Sequence, residues 1–282
     1  MLYLVATPIG NLSDISKRAI EALENCDYIA SEDTRHTLRL LNAFGIKKKL
    51  VSYHQHNMEK SGQSILNDVM SGKDVCLVSD AGCPAISDPG NELVKLMHKN
   101  NQKVSVIPGA NAAISALMIS PFDTSSFCFE GFPPVKVSLK KKFFEKIQKE
   151  TRTCIIYEAP HKIIKTLDIA KQVLGGERMI SVVKEITKIH ETVIIDTVEN
   201  ITKYFSLNEP KGEYVIVIEG KKDITDEVVN KKPLNIDEIV KMQYEEHIKN
   251  GFSRKDAMRK IAVDNNMSRN EVYSILFSVS RR

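Results

Sequence analysis

Short apolar runs alternate with amphipathic stretches along the first 120 residues. Residues 2–6, 28–30, 75–79 and 104–107 are brief and hydrophobic, with the look of strands buried on both faces. Between them the apolar positions move to helical spacing. Ile15, Ala19, Ile20 and Leu23 follow two possible caps, Asp14 and Ser16. Further helices are predicted over 34–44, stopping at Gly45, over 61–70, stopping at Gly72, and over 91–98 and 110–119. Repeated βα units of this kind predict an α/β fold with a mostly parallel sheet covered on both faces.

The pattern breaks at Ser120-Pro121-Phe122-Asp123. Beyond it, strands are expected over 127–130, 153–157, 179–183, 192–196 and 214–219, with helices over 140–150 and 161–174. Three β-type runs in succession predict a mixed α+β second domain with more antiparallel pairing. Polar residues 221–233 read as a linker. Three amphipathic segments follow, 236–249, 253–264 and 268–279, and Asn265-Asn266-Met267 between the last two suits a helix-turn-helix. The expected division is therefore an N-terminal α/β domain over 1–120, a second α+β domain over 121–222, and a linker with a small helical extension over 223–282.

Composition narrows the class. With 42% apolar and 27% charged residues in 282, the chain reads as an ordinary globular protein. No apolar run approaches the length of a membrane span, so no membrane partner is expected. The first residues lack a basic n-region and read as a strand, not a signal peptide. Five scattered cysteines (26, 76, 83, 128, 154) form no C-x-x-C pair, which suggests reduced thiols and a cytoplasmic location, with neither a disulfide frame nor a zinc site. A net charge of +4 does not by itself assign a polyanionic partner.

Local charge says more. Lys136, Lys140, Lys141, Lys142, Lys146 and Lys149 interleave with Phe143 and Phe144 against only Glu145 and Glu150. From Lys241 to Arg282 nine Lys/Arg face five Asp/Glu. Both blocks suit RNA phosphates, which release counterions when neutralised. The tail suits a helical cap or dimer element equally well.

Candidate chemistry sits in loops at predicted strand ends. Ser79-Asp80-Ala81-Gly82-Cys83-Pro84 and Pro108-Gly109-Ala110-Asn111-Ala112 each follow a strand and precede a helix. Their small residues let backbone approach a ligand, and in α/β sheets ligands bind at the carboxyl ends of strands, so the two loops are expected to wall one crevice. Polar clusters occur at Ser31-Glu32-Asp33-Thr34-Arg35-His36, at Tyr157-Glu158-Ala159-Pro160-His161-Lys162 and at Lys184-Glu185-Ile186-Thr187-Lys188. His54-Gln55-His56-Asn57 has loose metal-like spacing without a carboxylate partner in sequence.

Taken together, Ala6-Thr7-Pro8-Ile9-Gly10-Asn11-Leu12, Ser31 to Thr37, Val78 to Gly82 and Ser87-Asp88-Pro89-Gly90 resemble the tetrapyrrole-methylase superfamily. Pro108-Gly109, Tyr157 to His161, Lys184 to Lys188 and Lys211-Gly212-Glu213 extend the likeness to about residue 220. Within that superfamily the chain is most similar to the branch of 16S ribosomal RNA cytidine-2′-O-methyltransferases, whose helix-turn-helix extension is matched by Gly251 to Ala257 and Met267 to Tyr273. Cys83 stands where Thr is usual, and Ala110-Asn111 follows Pro108-Gly109 where a Pro-Cys or Val-Ser pair is more common. Both departures keep the side chains small.

The resemblance implies a two-domain homodimer that holds S-adenosylmethionine between domains and acts on 16S rRNA in the small ribosomal subunit. Ile9, Asp80, Cys83, Asn111, Ala112, Tyr157 and Gly212 fall where such proteins contact the cofactor, and no metal is required. A ribose 2′-hydroxyl must give up a proton to a group within reach. Glu32, Asp33, Asp88, Glu158, Lys184 and Glu185 are the contenders. Asp33 or Glu185 is the favoured base, with Arg35 and His36 clamping phosphate. A small-molecule tetrapyrrole methylase would share the cofactor loops but not need the basic segments. A non-catalytic RNA-binding protein would leave the paired loops unused.

Overall fold

Two neighbouring residues in each strand of the first half point into different cores, and this sets the architecture. In the computed structural model, which describes residues 1–221, 236–265 and 267–277, strand β4 (Val75–Val78) sends Val75 and Leu77 to one core and Cys76 and Val78 to another. The strands β1 (Leu2–Val5), β2 (Tyr28–Ser31), β3 (Leu50–Ser52), β4 and β5 (Val104–Ile107) form one all-parallel sheet in the order β3-β2-β4-β1-β5. Helices α1 (Lys17–Asn25) and α2 (Thr34–Ala43) cover one face through Ala19, Leu23 and Leu41. Helices α3 (Met58–Met70) and α4 (Asn91–Lys99) cover the other through Ile65, Leu66, Val69, Leu93 and Met97. Burying a side chain of this size contributes roughly 1.5–3 kcal/mol.

Helix α5 (Ala112–Met118) leaves β5 and packs on the second sheet instead, with Ala113, Ala116 and Leu117 against Ile155, Val183, Val215 and Val217. That sheet has the order β6-β7-β10-β8-β9, from β6 (Phe127–Gly131), β7 (Thr153–Glu158), β8 (Met179–Lys184), β9 (Thr192–Thr197) and β10 (Tyr214–Ile218). Only β6 and β7 pair in parallel. The β7–β10, β10–β8 and β8–β9 pairs are antiparallel. Helices α6 (Val137–Lys149), α7 (Pro160–Leu174) and α8 (Val198–Leu207) bury Phe144, Ile147, Ile163, Leu167, Ile201 and Phe205 on its far face. The expected mixed α/β architecture is the one observed.

Two elements lay below sequence resolution. Strand β3 is three half-buried residues behind a lysine run, too short to show a period. Helix α8 begins directly on the last residue of β9, with Thr197 accepting from Asn200 N–H as cap, so no turn residue announces it. Helix α6 starts three residues earlier than periodicity predicts, because Val137 and Leu139 are apolar yet exposed.

The chain divides into two compact units, Met1–Lys221 and Lys222–Arg282. In the second, α9 (Ile236–Lys249), α10 (Arg254–Asp264) and α11 (Arg269–Phe277) enclose a small core of Val240, Ile261, Ala262 and Val272. Ser253 caps α10 by accepting from Asp256 N–H. The expected linker and residues 278–279 lie outside the described residues.

Candidate active site

Adjacent parallel strands β1 and β4 dispatch α1 and α4 to opposite faces of the sheet. Their carboxyl ends therefore diverge and leave a crevice, the usual ligand position in an open α/β sheet. The two loops are tied across it: Thr7 N–H donates to Gly82 C=O at 2.9 Å and Gly82 N–H to Thr7 C=O at 3.1 Å. Cys83 Sγ reaches Ala110 C=O at 3.6 Å, joining the β4 loop to the β5 loop. From the second sheet, Tyr157 Oη accepts from Ala113 N–H at 3.1 Å, and burial raises the Tyr157 phenol above its ordinary pKa. The result is a cavity of about 460 Å³ bounded by Ile9, Asp80, Cys83, Asn111, Ala112 and Tyr157, together with Asp88, Phe132, Ile186 and Glu213. Its size lies in the range of small-molecule sites.

Six of the seven residues expected to hold a cofactor thus share one wall. Gly212 does not line the cavity. A Cβ at that position would meet the Glu185 carboxyl carbon at 2.5 Å, so its absence makes room for Glu185 beside Glu213, the neighbour that does line it. Asn111 also caps α5, its Oδ1 accepting from Ile114 N–H at 3.0 Å.

The four residues expected to carry chemistry line no part of this cavity. Asp33 is the cap of α2, accepting from Arg35 N–H at 2.8 Å and gripped by the Arg35 guanidinium at 2.8 and 3.1 Å. That guanidinium holds its carboxyl far below the usual carboxylate range, which unfits it as a base. Its corner meets the crevice through backbone only, Asp33 N–H donating to Asp80 Oδ1 at 3.2 Å. Arg35 and His36 are exposed and line no part of the cavity. Burial pushes Glu185 up, but hydrogen bonds from Lys188 Nζ and Glu213 N–H, each at 2.9 Å, outweigh it and leave Glu185 below its ordinary value.

Of the six contenders in the sequence, Asp88 and Glu158 are the carboxylates on the cavity wall, and Glu158 is engaged by Lys140, which leaves Asp88. It follows Ala85 (φ 71°) and Ser87 (φ 63°), two non-glycine residues in the left-handed region. Such backbone costs of order 1–3 kcal/mol per residue and persists where surroundings impose it. Burial, and then the nearby charge of Glu32, push Asp88 up to about 6. Glu32 is itself raised by burial and by Asp80.

Beneath the wall lies a buried ion pair that sequence reading missed. Lys140, 2% exposed, donates to Glu158 Oε2 at 3.2 Å and to Thr166 Oγ1. Glu158, 3% exposed, also takes the Thr166 hydroxyl at 2.5 Å and Ala159 N–H at 2.9 Å. Lys140 therefore does not belong with the exposed lysines of its run. Its spacing from Phe144 and Ile147, on the buried stripe of α6, was the available signal.

A switch-point crevice shared by a parallel and a mixed sheet defines a recognisable class. Residues 1–202 match the model of the Tetrapyrrole (Corrin/Porphyrin) Methylases, and the chain belongs to that family. Among solved structures, diphthine synthase superposes with a TM-score of 0.60 at 16% identity, covering 81% of this chain and 92% of that one, a likeness of fold alone. Curated relatives narrow the membership. Ribosomal RNA small subunit methyltransferase I of Synechocystis sp. is 41% identical over 275 residues, 98% of this chain and 96% of its own. The protein of the same name from Bacillus subtilis is 42% identical over 274 residues, 97% and 92% of the two chains. The particular group within the family is therefore ribosomal RNA small subunit methyltransferase I.

Proposed function

We propose that the protein methylates the 2′-oxygen of a cytidine ribose in 16S rRNA of the small ribosomal subunit, with S-adenosylmethionine as donor. The observation that carries this is the charge of the cavity wall. Among the described residues it bears Asp80, Asp88, Glu158 and Glu213 and no Lys, Arg or His. Such a wall suits a ligand that carries an ammonium and a sulfonium, and its many apolar atoms suit the rest of the molecule. Ile9, Asp80, Cys83, Asn111, Ala112 and Tyr157 would hold the donor, which supplies the methyl group when bound.

The protein's own share is positioning and proton removal. Holding two reactants in line is worth roughly 7–11 kcal/mol at best. Asp88 is assigned the ribose proton, since a base with pKa near 6 is ionised at neutral pH and still basic enough to accept. Asp33 and Glu185 keep the loops in shape. Arg35 and His36, exposed on α2, are left to phosphate. Residues 1–120 and 121–222 are read as the two halves of the site, and the extension 223–282 as an RNA-docking module.

A homodimer is part of the same reading. An apolar groove of Leu4, Pro84, Val94 and Val106 lies along the free edge of the first sheet, with Val106 61% exposed. A second copy would remove that surface from water. A cytoplasmic location accords with five cysteines all present as thiols. The test is incubation of small ribosomal subunits with methyl-labelled donor, followed by mapping of the modified sugar. Label in a cytidine 2′-O-methyl group supports the proposal, and label accepted by a porphyrin precursor but not by RNA refutes it.

A further inference from the structure

We infer that Phe132, with the exposed apolar strip after it, is a platform on which an unstacked base of single-stranded RNA lies while its phosphates meet Lys136, Lys141 and Lys142. The inference rests on the reading of the crevice as an RNA methylation site and names how the substrate enters it.

Phe132 lines the crevice and is still 56% exposed. It is also held still. Gly131 has φ 67°, a conformation that favours glycine, and Pro133 and Pro134 restrict the backbone on the other side. Behind the ring, Tyr157 stands edge-on at 5.4 Å, and Phe129 backs Tyr157 at 4.9 Å. An aromatic ring fixed on one side and bare on the other binds a flat partner with little loss of freedom.

The strip that follows has no task in the fold. Val135 is 70% exposed, Leu139 50% and Val137 is exposed with them, all off the buried stripe of Lys140, Phe144 and Ile147. Lysines 136, 141 and 142 stay exposed among them. Exposed apolar and cationic groups interleaved along one short stretch match a splayed nucleotide strand, which offers base faces and phosphates alternately. A duplex offers no base face. The location fits the chemistry too. A Cβ on Gly131 would lie 3.5 Å from Ser87 Oγ, so the platform begins against the turn that carries Asp88.

The test uses full-length protein and small ribosomal subunits, with donor affinity measured separately by calorimetry. Phe132→Ala should lower kcat/KM for the subunits roughly 5- to 150-fold, the worth of one stacked base, by clearly more than it weakens donor binding, and be rescued by Phe132→Tyr. Lys141→Gln with Lys142→Gln should make the dependence of log affinity on log salt shallower by about 1.4, at about 0.7 per single-strand phosphate contact. Three results would overturn the inference: wild-type kinetics in Phe132→Ala, an equal loss of donor affinity, which gives the ring to the donor, or a changed sedimentation coefficient with RNA affinity intact, which gives the strip to a protein partner. Failure of the wild type to label RNA would count against the proposed function instead.

Discussion

Asp88→Asn should make the protein more stable and nearly inactive at the same time. The Asp88 carboxyl moves from 3.8 to about 6 on folding, about 2 pH units, or roughly 3 kcal/mol before solvent screening at the crevice mouth is counted. Allowing for that screening leaves about 1–2 kcal/mol. The sign follows from where the proton is held more tightly. A raised pKa means the folded state favours protonated Asp88, so this contribution supports the fold at low pH and is lost as pH rises through about 6. At pH 8 the ionised carboxylate works against folding, and the neutral amide removes that load. Urea unfolding should show Asp88→Asn more stable than wild type by about 1–2 kcal/mol at pH 8 and equal to it at pH 3.5. Methyl transfer should fall by about 10²–10⁴, the usual share of a general base. The wild-type kcat/KM should climb with pH and level off above about 6, and Glu32→Gln should shift that climb to lower pH by removing a neighbouring negative charge. An Asp88→Asn enzyme within tenfold of wild type at pH 8, or one that keeps the same climb, would refute the reasoning.

Other perturbations separate the remaining parts. Lys140→Ala strands Glu158 in a dry site and should cost about 3–5 kcal/mol in denaturant unfolding, whereas Lys140→Met with Glu158→Gln should recover much of that loss. Asp33→Ala should lower the melting temperature through loss of the α2 cap while methyl transfer persists. Gly212→Ala should displace the Glu185 carboxyl and weaken donor binding in calorimetry, since the added Cβ has no space. Removal of residues 222–282 should leave donor binding intact and make RNA binding weaker and less salt-dependent.

The strands other than β3 were legible because each is a short apolar run, most of them closed by glycine, proline or an acidic turn. Helices α1, α2, α4 and α7 were legible from a clear 3.6-residue period, marked further by the Ser16 cap of α1, the Asp33 cap and Gly45 of α2, and Pro160 and Gly175 at the two ends of α7. The crevice wall was legible for a different reason. Gly82, Cys83, Asn111 and Ala112 are small residues at strand ends, and that position alone predicts a ligand. What sequence could not show was which carboxylates are already engaged. Asp33 sits two residues from Arg35 and looks available on paper, yet that spacing lets a guanidinium fold back onto its own cap. Asp88 looks like a turn residue in Ser-Asp-Pro-Gly. Its raised pKa arises from burial and then from Glu32, which is 56 positions away in sequence and brought near through the β2–β4 pairing. Lys140 was misplaced for the same reason, since its partner Glu158 lies on another element.

The distribution of charge around the crevice ties these details to one requirement. A methyl transfer from a sulfonium to a hydroxyl must attract a cation and a polyanion to neighbouring positions without letting either neutralise the other's site. Among the described residues the charged groups on the wall are all acidic, and exposed cations at the start of α6 and on α2 lie outside it. Glu158 and Glu213 on the wall are matched by Lys140 and Lys188, and Lys188 also holds Glu185. In the proposed reaction Asp88 is then the basic group of the wall, and the raised backbone energy at Ala85 and Ser87 is the local cost of holding its carboxylate there instead of in solvent.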